Sequence, residues 1–209
     1  MSIHKNIKIL TWFNFFTDFR LYAPIAIIYF AKVTGSYALG MSIFSIVMVS
    51  SAILEVPTGI FSDYIGRKKT LILGSILSVI CVALYAIGGS YWMLFLGALL
   101  EGLSRAFYSG NNEALLYESL SDVGKNHEYH VHYGKTSSMF QVAGMASAIV
   151  GGFIATWSFA FLMWLSVIPQ ILGLFLSFQI IEPQKRSGTG NIYSHLGESI
   201  KHFLKNRKL

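Results

Sequence analysis

Between Lys69 and Glu101 the chain runs 31 residues without a charged side chain, and between Lys135 and Glu182 it runs 46. At about 1.5 Å per residue, the longer run drawn as one helix would reach roughly 70 Å, over twice a hydrocarbon core of about 30 Å. It must turn back once, and Thr156-Trp157-Ser158 is the natural place; the shorter run breaks at Gly88-Gly89-Ser90. Composition agrees, since 54% of the 209 residues are hydrophobic and only 12% charged. An ordinary soluble domain carries about twice that charge, so lipid is the solvent here. On this basis the chain is an all-α membrane protein with six spans, at 8–31, 37–61, 70–88, 91–115, 136–156 and 158–181. The leading MSIHKNIKIL lacks a small-residue cleavage pattern, so the first helix is read as retained.

The formal charge of +6 raises the question of nucleic acid, but the cations stand between apolar runs and not on one basic face. They sort by side instead. Thirteen of them, including Lys5, Lys8, Arg67, Lys68, Lys69, Lys125, Lys135, Lys185 and Arg186, fall on one side of the six-span layout, and Lys32 alone on the other. The excess of Lys and Arg marks the crowded side as cytoplasmic, which puts both termini inside and the protein in the cell membrane. The outward turns are short, so the helices they join are expected as antiparallel neighbours.

Small residues give a packing code for the fifth span. Gly144, Ala148 and Gly152 recur every four residues, with Ala143, Ser147 and Gly151 on the adjoining stripe. Such stripes let backbones approach closely in lipid, where apolar burial does not drive association. Pro24, Pro57 and Pro169 each remove a helical hydrogen bond and permit a bend. Cys81, alone in an apolar run, reads as a small core residue.

The stretch GIFSDYIGRKK, residues 59–69, falls on the cytoplasmic turn between spans two and three. Gly66 can supply a left-handed turn, and Arg67-Lys68-Lys69 anchor the loop inside. The pattern Gly59-x-x-x-Asp63-x-x-Gly66-Arg67-Lys68-x-x-Leu71, preceded by Glu55-Val56-Pro57-Thr58, resembles the signature between helices two and three of the major facilitator superfamily. Tyr64 replaces the frequent basic residue after the aspartate. The resemblance covers the whole chain but only the first half of the family's usual twelve helices. It implies alternating access by two six-helix halves rocking about a central site, each half built of inverted three-helix repeats. It also implies that Asp63 and Arg67 belong to a cytoplasmic gate, closing on a helix of the other half, rather than to a cargo site.

Charges at bilayer depth cost about 2.5–3.5 kcal/mol on insertion scales, so each needs a reason. Asp18 and Arg20 lie in span one; two apart, they do not share a helix face and should seek partners on other helices. Glu101 and Arg105 lie in span four and, four apart, can pair. One reading is a structural staple between spans one and four. The other, which the resemblance favours because those helices line the family's cavity, is a substrate and proton pathway of Asp18, Arg20, Glu101 and Arg105, with Asp18 and Arg105 foremost. Below them, the stretch Asn111 to Leu120 resembles the cytoplasmic end of helix four in efflux members of the family, and Glu113 is a candidate to touch the basic turn, with a solvated helix end as the alternative.

The family's antiporter signature in the fifth span is only half present: Gly151-Gly152 stand, but Ser147-Ala148 replace its Gly-Pro pair. His127, His130 and His132 are expected in a solvated cytoplasmic loop rather than on a metal. No phosphate-cradling glycine loop and no nucleophile-and-base arrangement appears, so neither an ATP-driven pump nor an enzyme is expected, and no cofactor. Residues 1–182 form the expected six-helix bundle. Residues 183–209 form a polar linker, QKRSGTGN, and an amphipathic helix on the inner leaflet, with Ile192, Leu196, Ile200, Phe203 and Leu204 on one face. In the family such a segment leads to helix seven. The expectation is the N-terminal half of a secondary carrier for a small solute, proton-coupled or facilitative and exporting amphipathic compounds. Its second half would come from further chain, a split-gene partner or a second copy. A six-helix scaffold or sensor that moves nothing is the alternative.

Overall fold

The structure, a computed structural model, describes residues 2–183. The linker and amphipathic helix expected beyond Pro183 lie outside the described residues. The described chain is helical, with no strand: α1 (Ser2–Asp18), a 3₁₀ turn (Ala23–Ile25), α2 (Ala26–Thr34), α3 (Tyr37–Ile65), α4 (Arg67–Ile87), α5 (Tyr91–Tyr108), α6 (Asn111–Ser121), a second 3₁₀ turn (Asn126–Glu128), α7 (Tyr129–Ala155), α8 (Phe159–Leu165) and α9 (Val167–Gln179). Among the described residues four helical stretches are long and apolar enough to cross a membrane: Tyr37–Ile65, Arg67–Ile87, Asn126–Ala155 and Phe159–Gln179.

The other two expected spans are interrupted. Stretch 8–31 divides into α1 and α2, because the chain leaves helical geometry after Asp18 and Pro24 sits in the 3₁₀ turn, where its missing N–H costs nothing. Stretch 91–115 divides at Ser109-Gly110, where Gly110 takes φ +68° and re-aims the chain into α6. The long α7 starts at Tyr129, seven residues ahead of expectation. It carries His130 and His132 on a helix and not in a loop.

The three turns read as outward-facing share one device. Ser36, Ser90 and Ser158 are each an N-cap in extended geometry. Ser90 Oγ accepts from Met93 N and Ser158 Oγ from Phe161 N, both at 3.3 Å, satisfying first-turn donors that lipid could not.

The packing has an internal order. Take six segments: α1–α2, α3, α4, α5–α6, α7 and α8–α9. Then α3 packs on α5 and α1 on α7; α4 packs on α5 and α1 on α9; α2 meets α3 and α6 meets α7; α4 meets α8 and α9. Exchanging each segment with the one three places along maps this set of pairs onto itself. Close approaches sit at glycines: a Cβ on Gly102 of α5 would stand 2.8 Å from the Val47 carbonyl of α3. On α7 the adjoining stripe is the packed one. Ala143, Ser147 and Gly151 are buried, Gly151 against the Leu21 backbone, whereas a Cβ on Gly144 or Gly152 would meet open space. The expected stripe thus faces away from this bundle.

Buried amides pin the helices in register. Asn6 donates to Ile181 O at 2.8 Å and accepts from Ile181 N at 2.9 Å, clipping α1 to the end of the sixth segment. Ser78 of α4 donates to Gln170 Oε1 of α9 at 2.7 Å, and Gln170 Nε2 donates to Phe16 O of α1 at 3.2 Å. Outward, α3 and α7 present bare apolar rows: Met48, Ile53, Val56, Met145, Ile149 and Phe153 are 62–70% exposed. A surface of that kind suits hydrocarbon or another helix, not water.

Candidate functional site

Two polar centres stand in this apolar bundle. The inner one is built on α5, where Glu101 and Arg105 share a face one turn apart. Arg105 donates to Glu101 Oε1 through Nε at 3.0 Å and Nη2 at 2.8 Å. Arg20, set in the break after α1, bonds the same oxygen through Nη1 and the Thr17 carbonyl through Nε at 3.0 Å. Tyr85 of α4 donates to Glu101 Oε2 at 2.9 Å. Arg20 and Glu101 are each 6% exposed, but the Arg105 side chain is 42% exposed. Asp18 is half-buried at the end of α1, within electrostatic reach of Arg20 and Arg105.

Arg20 therefore finds its partner on another segment, as its spacing from Asp18 implies. It also stands outside a helix, which the sequence does not anticipate. Two cations on one carboxylate leave a net positive charge beside Asp18, so the cluster as a whole balances. The Tyr22 ring packs edge-on against Tyr85, centroids 5.7 Å apart. Its hydroxyl is buried and has no hydrogen-bond partner among the described residues.

The second centre is the basic turn. Gly66 takes φ +101°, a conformation that favours glycine, and lets α3 end and α4 begin without a loop. Arg67 Nη2 lies 2.9 Å from Asp63 and 3.0 Å from Glu118, and Nη1 donates to Ser62 Oγ at 3.0 Å. Asn111 Nδ2 donates to Arg67 O at 3.0 Å while its Oδ1 accepts from Ser62 at 2.6 Å. Glu182 caps α4: its two carboxylate oxygens accept from the backbone N–H groups of Arg67 and Lys68 at 2.7 and 2.8 Å. Lys68 thus joins through its backbone. A Cβ on Gly59 would meet nothing among the described residues, so the position has room to spare there.

Glu118, not the expected Glu113, meets the basic turn. The break at Gly110 starts α6 afresh with Asn111 against Arg67, and residues seven apart lie on one helix face, which brings Glu118 round to the same guanidinium. Glu113, two along from Asn111, points elsewhere and lines a cavity of about 150 Å³ between α1, α6 and α7. The histidines make no metal cluster: among the described residues no three His, Cys, Asp or Glu side chains gather, and His132 instead lies 3.3 Å from Glu128, which Lys125 also pairs with at 2.8 Å. Sequence reasoning missed Glu118 and Glu182. An acid two helical turns beyond Asn111, and one just past the last apolar run, were the available signals.

The family model described as Major Facilitator Superfamily matches residues 9–209. Among curated proteins, the chain is 23% identical over 182 residues to a Na(+), Li(+), K(+)/H(+) antiporter of Planococcus maritimus, covering 84% of this chain and 42% of that protein. It is 24% identical over 192 residues to quinolone resistance protein NorA of Staphylococcus aureus, covering 90% of this chain and 48% of that protein. The chain spans less than half the length of the curated relatives it matches.

Proposed function

Because this chain belongs to the major facilitator superfamily, whose members are transporters and not enzymes, we propose that it is one six-helix lobe of a secondary carrier. In this reading all six segments cross the cell membrane with both termini in the cytoplasm. Residues 1–182 are the lobe and 183–209 a cytoplasmic connector. The exchange symmetry of the helix pairs supports two inverted three-helix repeats. The exposed small-residue stripe of α7 and the open space at Gly59 support a second lobe packed against this one.

The observation that carries the proposal is the Arg20–Glu101–Arg105 bridge between the first and fourth segments. A charge cluster inside an apolar bundle is costly unless it does work. Arg20 and Glu101 hold the two segments together, while Asp18 and Arg105 keep accessible side chains. Asp18 is the group that takes up a proton, and Arg105 sets the charge its cargo meets. At the cytoplasmic end the Asp63–Arg67–Glu118 network is the gate element, held at the α4 N-terminus by Glu182. The carrier exports an amphipathic solute against proton entry.

The test is transport by the intact protein in proteoliposomes, with ethidium as an amphipathic cation and an imposed pH gradient. Asp18→Asn and Arg105→Ala should each lower the rate at least about tenfold, since each removes a group that acts during turnover. Wild-type rates in both variants would remove these residues from the pathway. A wild-type protein that moves neither ethidium nor protons would favour a membrane scaffold or sensor.

A further inference from the structure

The junction of α5 with α6 lies between the two polar centres, and packing does not hold it. Ser109 leaves helical geometry, and Gly110 follows at φ +68°, where a Cβ would meet nothing within 4 Å among the described residues. Arg105 of the inner centre stands one turn before the junction, its carbonyl accepting from Ser109 N at 2.9 Å. Asn111 and Glu118, which serve the basic turn, follow on α6. A shift of α5 therefore reaches α6 along the chain only through Ser109 and Gly110.

A polar ladder from α3 spans the junction. Glu55, Thr58 and Ser62, three and four residues apart, fall on one face of that helix. Thr58 Oγ1 donates to Ala106 O at 3.0 Å, just ahead of the junction, and Ser62 Oγ to Asn111 Oδ1 at 2.6 Å, just past it. These two rungs are buried, with Thr58 4% and Ser62 2% exposed. The third reaches the junction itself: Glu55 Oε1 accepts from Ser109 Oγ at 2.5 Å.

This third rung is exposed, and it alone of the three α3 side chains carries a charge. Glu55 lies eleven residues ahead of Gly66, about 16 Å along α3, in a stretch apolar enough to cross a membrane. A carboxylate there is costly and calls for a reason. Neutralisation does not supply one. Glu101 holds two arginines and Asp63 holds Arg67, whereas Glu55 makes no ion pair among the described residues. A charged acceptor does hold a hydroxyl about twice as strongly as a neutral one. That strength is what an uncrowded glycine joint lacks.

We propose that Glu55 is a positioning residue of the carrier: by holding Ser109 it fixes the joint at Gly110, so that α6 presents Asn111 and Glu118 to Arg67. It acts through Ser109 and not on the cargo. This role rests on the carrier reading, yet the placement of α6 is measurable without turnover.

The experiment uses the intact protein in nanodiscs, with Cys81→Ala as the background. Spin labels on Lys69→Cys of α4 and Val123→Cys, just past α6, are both at exposed positions and report the gate distance by double electron–electron resonance. The parent should give one narrow distribution. Glu55→Ala and Ser109→Ala should each raise the ratio of a second population to the first at least about tenfold. The two changes together should do no more than either alone, as the ends of one bond do. Glu55→Gln, which still accepts from Ser109 but without the charge, should fall between the parent and Glu55→Ala. In ethidium transport both alanine variants should lower kcat severalfold and leave KM unchanged. Both leave the buried rungs in place and so keep the fold.

Distributions as narrow in both alanine variants as in the parent mean that the buried rungs suffice, and overturn the proposal. Broadening in Glu55→Ala but not in Ser109→Ala means that Glu55 acts through another group, and overturns it too. A parent that moves no ethidium while the distances shift as expected removes the carrier reading and leaves the placement of α6 by Glu55 standing.

Discussion

Glu101 accepts hydrogen bonds from Arg20, Arg105 and Tyr85 at a buried site, where Glu101 and Arg20 cannot trade those contacts for water. Removing one member of such a cluster strands the others, which typically costs about 3–5 kcal/mol, whereas replacing the pair by apolar side chains of similar bulk is often close to neutral. Glu101→Ala should therefore lower the melting temperature of the purified protein far more than the double change Arg20→Leu with Glu101→Leu. A double variant at least as damaged as the single one would mean that the pair contributes net stability rather than mutual neutralisation. The four charged positions Asp18, Arg20, Glu101 and Arg105 are legible from sequence because ionisable residues are scarce in the apolar runs. The amides are not. Asn6, Asn14, Asn112 and Gln170 look like any other polar residue until the fold shows which of them clip helices and which keep a buried oxygen without a partner among the described residues.

At the scale of elements, the helix stops and starts divide by cause. The turns at Gly35-Ser36, Gly88-Gly89-Ser90 and Trp157-Ser158 carry their signals in the sequence: a serine cap at each, and a glycine with positive φ at the first two. The breaks at residues 19–25 and at Ser109-Gly110 carry weaker signals, Pro24 and the positive-φ Gly110, inside stretches long enough to be read as single spans. The α4 N-terminus is set by a residue far away in sequence. Glu182 brings a carboxylate to two free N–H groups at the positive end of a 21-residue helix. Glu182→Ala should cost about 1 kcal/mol of stability, as loss of a capping acid does, with Glu182→Gln recovering only part of it. Glycines divide in the same way. Gly102→Ala pushes a methyl toward the Val47 carbonyl, an overpacking worth about 1–3 kcal/mol, while Gly144→Ala meets open space and should leave the melting of this bundle unchanged. If Gly144→Ala nevertheless abolishes transport by the intact protein, its stripe touches something beyond these helices.

For the whole molecule, the decisive quantity is which turns lie on which side of the membrane. Six crossings put Ser36, Ser90 and Trp157 outside, with Arg67 and Lys125 inside. The alternative to weigh is four crossings, since among the described residues four helical stretches are both long and apolar enough to span. The helix pairs argue for six. The segment exchange pairs the two interrupted stretches with each other, α1–α2 with α5–α6, and a membrane that held α3 and α4 would also enclose α5, packed against both. The chain suits a direct trial because its single thiol, Cys81, is 1% exposed and can be replaced by alanine without opening a polar contact at the surface. In that background, single cysteines at Ser36, Ser90 and Trp157 should react with a membrane-impermeant maleimide on intact cells. Cysteines at Lys68 and Lys125 should react only after the cells are opened. Labelling of Lys68→Cys from outside would place the Asp63–Arg67–Glu118 network on the wrong face for a cytoplasmic gate. A Ser90→Cys variant protected until lysis would remove the third and fourth crossings together, since that turn joins α4 to α5.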